Sequence, residues 1–209
     1  MRANFMDEDK MERLDRQFDF AREIDKEKFI SRQTRLSDGE RFENDAEHAW
    51  HMAIMTILMA EYSNEEIDVL KTVTMLLIHD IVEIYAGDTY AYDEEGKKTQ
   101  AAREKAAAEK IYSILPDDQG SRLKALWEEF EEGNTPESKF AHVMDNIQPM
   151  MLNDATDGKA WTEHGVHLNQ ILKRNEHTAE GSKDLWEYAQ EKFLKRNLEI
   201  GSIIDDSKS

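Results

Sequence analysis

His79, Asp80, Glu83 and Asp88 stand within ten positions of one another in "MLLIHDIVEIYAGDTYAYDEEG", residues 75 to 96. The segment begins as greasy as any buried helix, and burying a charge costs several kcal/mol unless it is paired or bound to a metal. Four titratable groups in such a place predict part of a metal site. Neighbouring helix positions point about 100° apart, so one ion beside the helix can touch both His79 and Asp80. Glu83 follows one turn later on the same side. Asp88 falls just past Gly87, where the chain can turn back towards the site. Two ligands on one helix require more from elsewhere. His48, after Glu47 among small or apolar neighbours, is the best further imidazole. Asp145 is the matching carboxylate, set among Phe140, Ala141, Met144, Ile147 and Gln148 at helical spacing.

Helices must hold these groups in place. Leu14, Phe18, Ala21, Ile24 and Phe29 form a stripe that predicts a helix from about 10 to 31. A turn at Ser37-Asp38-Gly39 precedes a second helix, capped by Asn44 or Asp45, with His48 in its first turn. Asn64 is the expected cap of a third, which runs to Gly87 and is apolar nearly all round, the pattern of a helix in the middle of a bundle. Residues 88 to 98 read as a polar loop, with "DEEGKK" as a candidate lid. Two helices follow, one ending before Pro116 and one closed by Gly133. Thr135 and Pro136 open the helix bearing Asp145, and Pro149 is expected to kink or break it. Helices at about 160–175 and 180–200 complete the chain, and "DDSKS" reads as a frayed end. Alternation of useful length is missing, so the expected fold class is all-α.

Composition narrows the function. The 209 residues suit one domain. There are 45 acidic and 27 basic side chains, for a net charge of −18, which argues against a nucleic-acid polymer as partner. A phosphate-ester substrate would need a local cation to reverse that field. With no cysteine in the sequence, any metal must use imidazole and carboxylate ligands. The acidic N-terminal stretch does not read as a signal peptide, and the apolar run Val73 to Ile78 is far too short to span a bilayer. No membrane association is expected, and cytoplasm is the expected compartment.

"AEHAWH", "LLIHDIVEIYAGD" and "VMDNI", in that order, resemble the HD-domain superfamily of metal-dependent phosphohydrolases. Arg41, Glu43 and Asn44 before Glu47-His48, and His-Asp-x-x-Glu-x-x-x-Gly-Asp from His79 to Asp88, resemble its bacterial 5′-deoxynucleotidase subgroup. The likeness covers roughly residues 28 to 155. It implies a helical bundle of about eight helices in a single domain over 1–209, with a motif-bearing core at about 28–155 and helices 156–200 packed on it.

The same likeness implies His48, His79, Asp80 and Asp145 as ligands of one divalent ion: Mn, Co, Fe, Ni or Zn. Glu83 would orient the metal-bound water, and Asp88 would assist proton transfer or hold the sugar. Arg32, with Arg35 as alternative, would contact the substrate phosphate. Gln33 stands where the subgroup carries tryptophan after that arginine, which leaves the sugar preference open. The implied function is a 5′-nucleotidase acting on (deoxy)nucleoside monophosphates. The alternatives are an HD-type phosphodiesterase or guanosine-polyphosphate hydrolase, and a non-catalytic metal-containing helical binding protein.

Other conspicuous residues have plainer readings. His51 is expected to pack near the ligands, His142 to pack there or lie at the surface, and His164, His167 and His177 to lie at the surface. Trp50, Trp127, Trp161 and Trp186 read as core or interface anchors. A homodimer is expected, with Leu168, Ile171, Leu172, Leu185, Trp186, Phe193 and Leu194 of the late helices as material for its contact.

Overall fold

The computed structural model describes residues 7–206; of the acidic start and the expected frayed end, residues 1–6 and 207–209 lie outside the described residues. Helix α1 (Glu8–Glu23) carries Glu8 and Asp9 in its first turn and Arg22 in its last, the signs its dipole favours. It gives way to a tighter 3-10 turn at Ile24–Phe29, where the apolar stripe had suggested one helix to about 31.

A short antiparallel hairpin follows, β1 (Ser31–Arg35) with β2 (Phe42–Asn44). Ser31 pairs with Asn44 and Arg35 with Phe42, so β1 takes four steps where β2 takes two and bulges between. A bulge re-aims side chains, and Arg32 stands in this one. Strands this short and irregular carry no alternation, so periodicity could not find them.

Asn44 caps α2 (Asp45–Met59) with a reciprocal box: the Glu47 N–H donates to Asn44 Oδ1 at 2.9 Å, and the Asn44 N–H donates to Glu47 Oε2 at 3.1 Å. The next helix, α3 (Val69–Ile78), is capped by Asp68, not Asn64. Asn64 instead clasps the late helices, donating to the carbonyls of Ala179 and Glu180 and accepting from the Lys183 N–H. α3 also stops at Ile78 and does not continue to Gly87; a turn separates it from the short α4 (Glu83–Ala86). The His79 ring contributes to this ending by donating from Nδ1 to the Leu76 carbonyl at 2.9 Å.

Asp93 caps α5 (Glu94–Tyr112), accepting from the N–H groups of Glu95 and Gly96, so most of "DEEGKK" is helix and only 88–92 remains as loop. α6 (Asp117–Glu132) ends at Gly133, whose φ of 64° is the left-handed stop that glycine permits. α7 (Pro136–Ala155) opens with the Thr135 cap and Pro136 and runs continuously through Pro149. The proline removes one ladder donor, the partner of the Asp145 carbonyl four residues earlier, without ending the helix.

The two long late helices are broken into α8 (Lys159–His164), α9 (Leu168–Arg174), α10 (Thr178–Gly181), α11 (Lys183–Ala189), a π-helical turn at Gln190–Leu194 and α12 (Lys195–Glu199). The chain end is docked up to Asp206: Ile204 bridges to His167, and Asp206 accepts from the Asn169 N–H at 3.0 Å.

α7 is the axis of the main core. Phe140, Ala141, Val143 and Met144 are fully buried there against Met52 and Met55 of α2, Met75 and Leu76 of α3, and Ile171, Ala189 and Leu194 of the late segments. A second cluster joins Phe20 of α1, Ile78, Ile81 and Val82, Ala108, Ile111 and Tyr112 of α5, and Trp127 of α6. The architecture is an all-α bundle bearing one small hairpin. α3 does not lie in its middle: Leu70 and Leu77 are exposed.

Candidate metal centre and substrate cavity

The stretch from Arg41 to His48 builds one wall. Arg41 clamps Glu47 through two hydrogen bonds, Glu47 and Asn44 cap α2, and this sets His48 one turn into the helix with its ring turned inward. Glu43 is buried and accepts from Gln148 Nε2 at 2.7 Å, while Gln148 Oε1 lies 2.8 Å from His48 Nδ1. These partners assign the tautomer: Nδ1–H donates to Gln148, leaving the Nε2 lone pair for the site. His79 is held the same way by the Leu76 carbonyl.

Both free nitrogens meet carboxylates. His48 Nε2 lies 3.1 Å from Asp145 Oδ1, and His79 Nε2 lies 3.0 Å from Asp80 Oδ2 and 3.9 Å from Asp145 Oδ1. One ligand atom from each of His48, His79 and Asp145 falls within 4.8 Å of the others. His79 Nε2 is buried and makes no hydrogen bond among the described residues. Lone pairs facing carboxylate oxygens across such gaps require protons or a cation between them. Two imidazoles and the Asp145 carboxylate at one point, with Asp80 beside His79 and turned to Arg32, are a donor set that fits a divalent ion.

The charges respond accordingly. Burial works against charging His79, but Asp80 and Asp145 override it and push the imidazole up to about 9. Burial also opposes ionisation of Asp145, which its hydrogen bond with His48 and the charge of Arg174 nonetheless hold well below the usual carboxylate range. Glu83, starved of water and facing Asp80, Asp45 and Asp88, is pushed up to about 11, and its buried Oε2 has no hydrogen-bond partner among the described residues. Burial likewise raises Asp88. More carboxylates converge here than the neighbouring cations balance.

A cavity of about 610 Å³ opens above His79, Asp80 and Asp145, and Arg32, Gln33, Glu83 and Asp88 also line it. Arg32 Nη1 lies 2.6 Å from Asp80 Oδ2 and 3.2 Å from Asp45 Oδ1, while its Nη2 makes no hydrogen bond among the described residues. Arg35 goes elsewhere, pairing with Glu163 at 3.0 Å and stacking over Phe42. Gly87, at φ 76°, turns the chain so that Asp88 re-enters the cavity. Arg103 of α5 fixes that turn by donating to the carbonyls of Ala86 and Gly87 and to Thr89 Oγ1.

Sequence reasoning singled out neither Arg103 nor Arg174, whose Nη2 lies 3.4 Å from Asp145 Oδ2. Their partners are far off along the chain, and a lone arginine carries no spacing signal. Tyr90, Tyr92 and the buried Trp161 add aromatic wall to the cavity. His51 packs beside Gln148, and His142 reaches the Phe130 carbonyl at 2.8 Å. His164 and His177 are exposed, and His167 is half-buried against Asp206. Trp127 is buried, Trp186 packs against the core, and Trp50 is exposed.

A family model for the HD domain matches residues 24–186. The chain belongs to the HD domain family. Its match to a crystal structure from Magnetospirillum magnetotacticum MS-1, described as a predicted metal-dependent phosphohydrolase, has a TM-score of 0.88 at 42% identity and covers 92% of this chain and 96% of that one. This HD chain is also 30% identical to the 5′-deoxynucleotidase HDDC2 of Xenopus laevis over 112 residues, 54% of each protein. The human protein of the same name is 29% identical over 112 residues, 54% of this chain and 53% of that one. The HD chain thus spans about half the length of the curated relatives it matches. Among the described residues no helix is long and apolar enough to cross a membrane.

Proposed function

We propose that this HD protein is a metal-dependent phosphomonoesterase that releases phosphate from (deoxy)nucleoside 5′-monophosphates. The observation that carries the proposal is the convergence of His48, His79, Asp80 and Asp145 below a cavity that Arg32, Glu83 and Asp88 also line. The names of the curated relatives and of the structural neighbour support the same reaction class.

His48, His79, Asp80 and Asp145 would hold one divalent ion, whose identity among Mn, Co, Fe, Ni and Zn the donor set does not select. When bound, it supplies positive charge for the phosphoryl oxygens and acidifies water that reaches it. Arg32 orients the phosphate with the N–H groups it has left after Asp80 and Asp45 take Nη1. Glu83 holds the attacking water, and Asp88 moves the proton or contacts the sugar. The cavity is large enough for a nucleotide, and Tyr90, Tyr92 and Trp161 suit its base. The reading takes 1–209 as one domain, with a motif-bearing core at about 28–155 and residues 156–200 packed on it. The shared core of Met144, Ile171 and Leu194 supports this. Cytoplasmic residence and homodimer formation belong to the same reading.

The test is phosphate release from a nucleotide panel by protein loaded with each ion in turn. His79→Ala and Asp80→Ala should abolish it, and persistent turnover in both would sink the mechanism. His48, His79 and Asp145 are the one group within metal-binding reach found among the described residues, which favours a single ion. Two tightly bound ions per chain by native mass spectrometry would favour the diesterase instead.

A further inference from the structure

Asp80 and Asp145 each give one carboxylate oxygen to an arginine, and the two arginines come from different walls of the cavity. Arg32, on β1, closes to 2.6 Å on Asp80 Oδ2 and also reaches Asp45. Arg174, the last residue of α9, brings a single nitrogen, Nη2, to 3.4 Å from Asp145 Oδ2. Asp145 is its one ion-pair partner among the described residues, and this contact is its one side-chain hydrogen bond there. A charge-assisted N–H···O⁻ bond usually closes to about 2.7–2.9 Å, and an arginine facing a carboxylate often makes two of them. Most of the Arg174 fork is therefore unspent, while its side chain lines the cavity and stays 30% exposed.

The backbone beneath it is fixed. Asn146, next to Asp145, donates from Nδ2 to Thr178 Oγ1 at 3.1 Å. Thr178 Oγ1 donates to Asn175 Oδ1 at 3.2 Å, and Asn175 Nδ2 donates to the Ile171 carbonyl at 2.8 Å. Asn175 and Thr178 are both buried. This polar chain ties the end of α9 to α7 beside Asp145, so the wall holds Arg174 in place with donors to offer.

We propose, resting on the phosphomonoesterase reading, that Arg174 is a second phosphate-contacting residue, whose unspent N–H groups donate to the phosphoryl oxygens that Arg32 approaches from the hairpin. Charge calls for it. Asp80 and Asp145 balance a divalent ion, Asp45 offsets Arg32, and Glu83 and Asp88 add acid to the same cavity. A phosphate dianion entering a chain of net charge −18 needs a further cation at that point. Besides Arg32, the lysines and arginines lining the cavity are Lys139 and Arg174. Lys139 faces Glu180 at 3.6 Å and stands about 9 Å from Asp145 along α7. Arg174 reaches a metal-site carboxylate directly. Its planar fork matches two oxygens of a phosphoryl group. Neutralising Asp145 alone would be served best by a closed two-point contact, which this one is not. Arg174 also takes Asp145 on Oδ2, leaving Oδ1 directed at His48 and His79, so it can meet the substrate without displacing the ligand oxygen.

The test is titration calorimetry of orthophosphate into the Mn²⁺-saturated full chain, with Arg174→Met and Arg174→Lys, after Mn²⁺ stoichiometry and affinity have been measured for each. Arg174→Met should load Mn²⁺ as the wild type does and bind orthophosphate about tenfold or more weakly, the usual effect of losing a hydrogen bond to a charged group. Arg174→Lys keeps the charge and loses the fork, so it should fall between the two. KM for p-nitrophenyl phosphate and KM for a nucleoside monophosphate should rise by the same factor, because the lost contact is to the phosphate they share. If Arg174 served only to orient Asp145, Mn²⁺ affinity would fall and orthophosphate binding at saturating Mn²⁺ would be unchanged. That result, or a loss confined to nucleotides, would overturn the proposal. Should Arg174→Met fail to fold or load, Arg174→Lys decides, and wild-type orthophosphate affinity there would overturn it as well. A wild type that binds orthophosphate and turns over no nucleotide would end the nucleotidase reading and leave Arg174 in its place, so the two fail separately.

Discussion

His48 Nδ1 lies 2.8 Å from Gln148 Oε1, and Gln148 Nε2 donates onward to the buried Glu43 at 2.7 Å. This relay fixes which imidazole nitrogen faces the site. Gln148→Ala should weaken divalent-ion affinity by about 10–100-fold, the usual effect of losing a partner that orients a ligand. Titration calorimetry with Mn²⁺ measures it. Unchanged affinity would mean that the relay does not set the ring.

Chelation should destabilise the protein, because it leaves His79 Nε2 and the facing carboxylates without a common cation. Reloading at a hundredfold excess over Kd should add about 2.7 kcal/mol, or roughly 5–10 °C in melting temperature. A thermal melt of His79→Ala should show no such rise.

Arg32 both neutralises Asp80 and Asp45 and faces the cavity. Arg32→Lys keeps the charge but loses the planar fork. KM for a nucleoside monophosphate should rise about tenfold, with kcat changed less, as expected when binding in the ground state is lost. An unaltered KM would remove Arg32 from the phosphate site.

Arg103 holds the turn that carries Asp88. Arg103→Leu should lower kcat by roughly tenfold while leaving metal stoichiometry at wild-type value. Steady-state kinetics alongside metal analysis separates this from general misfolding, which would lower both.

Glu27 is buried, its Oε1 has no hydrogen-bond partner among the described residues, and burial together with Asp80 pushes it up to about 7 from 4.5. The fold therefore favours its neutral form. Its contribution to stability is complete below pH 4.5 and is lost as pH rises through 7, amounting to about 3 kcal/mol. Urea denaturation of metal-free protein should show stability falling across that window, with a shallower fall in Glu27→Gln. Parallel profiles for the two proteins would contradict the assignment.

Residue types and short spacings carried much of the site. Asn44 and Glu47 form a cap because the chain places them three apart, and Thr135-Pro136 opens a helix for equally local reasons. His79 and Asp80 were legible because titratable groups in an apolar run need a partner. The expectation that they share one long helix with Glu83 failed, because the His79 ring and the following turn end α3 at Ile78. Asn64 looked like a cap and instead serves the late helices, which no local pattern could reveal.

The sequence by itself determined an all-α chain, a supply of imidazole and carboxylate side chains without cysteine, and an acidic background, since each of these follows from residue type and near neighbours. Only the tertiary structure decided that Arg32 meets Asp80, that Arg174 meets Asp145, and that Leu70 and Leu77 of α3 stay uncovered. Those relationships join residues tens of positions apart or concern what is left outside the core, and packing of the whole chain sets both.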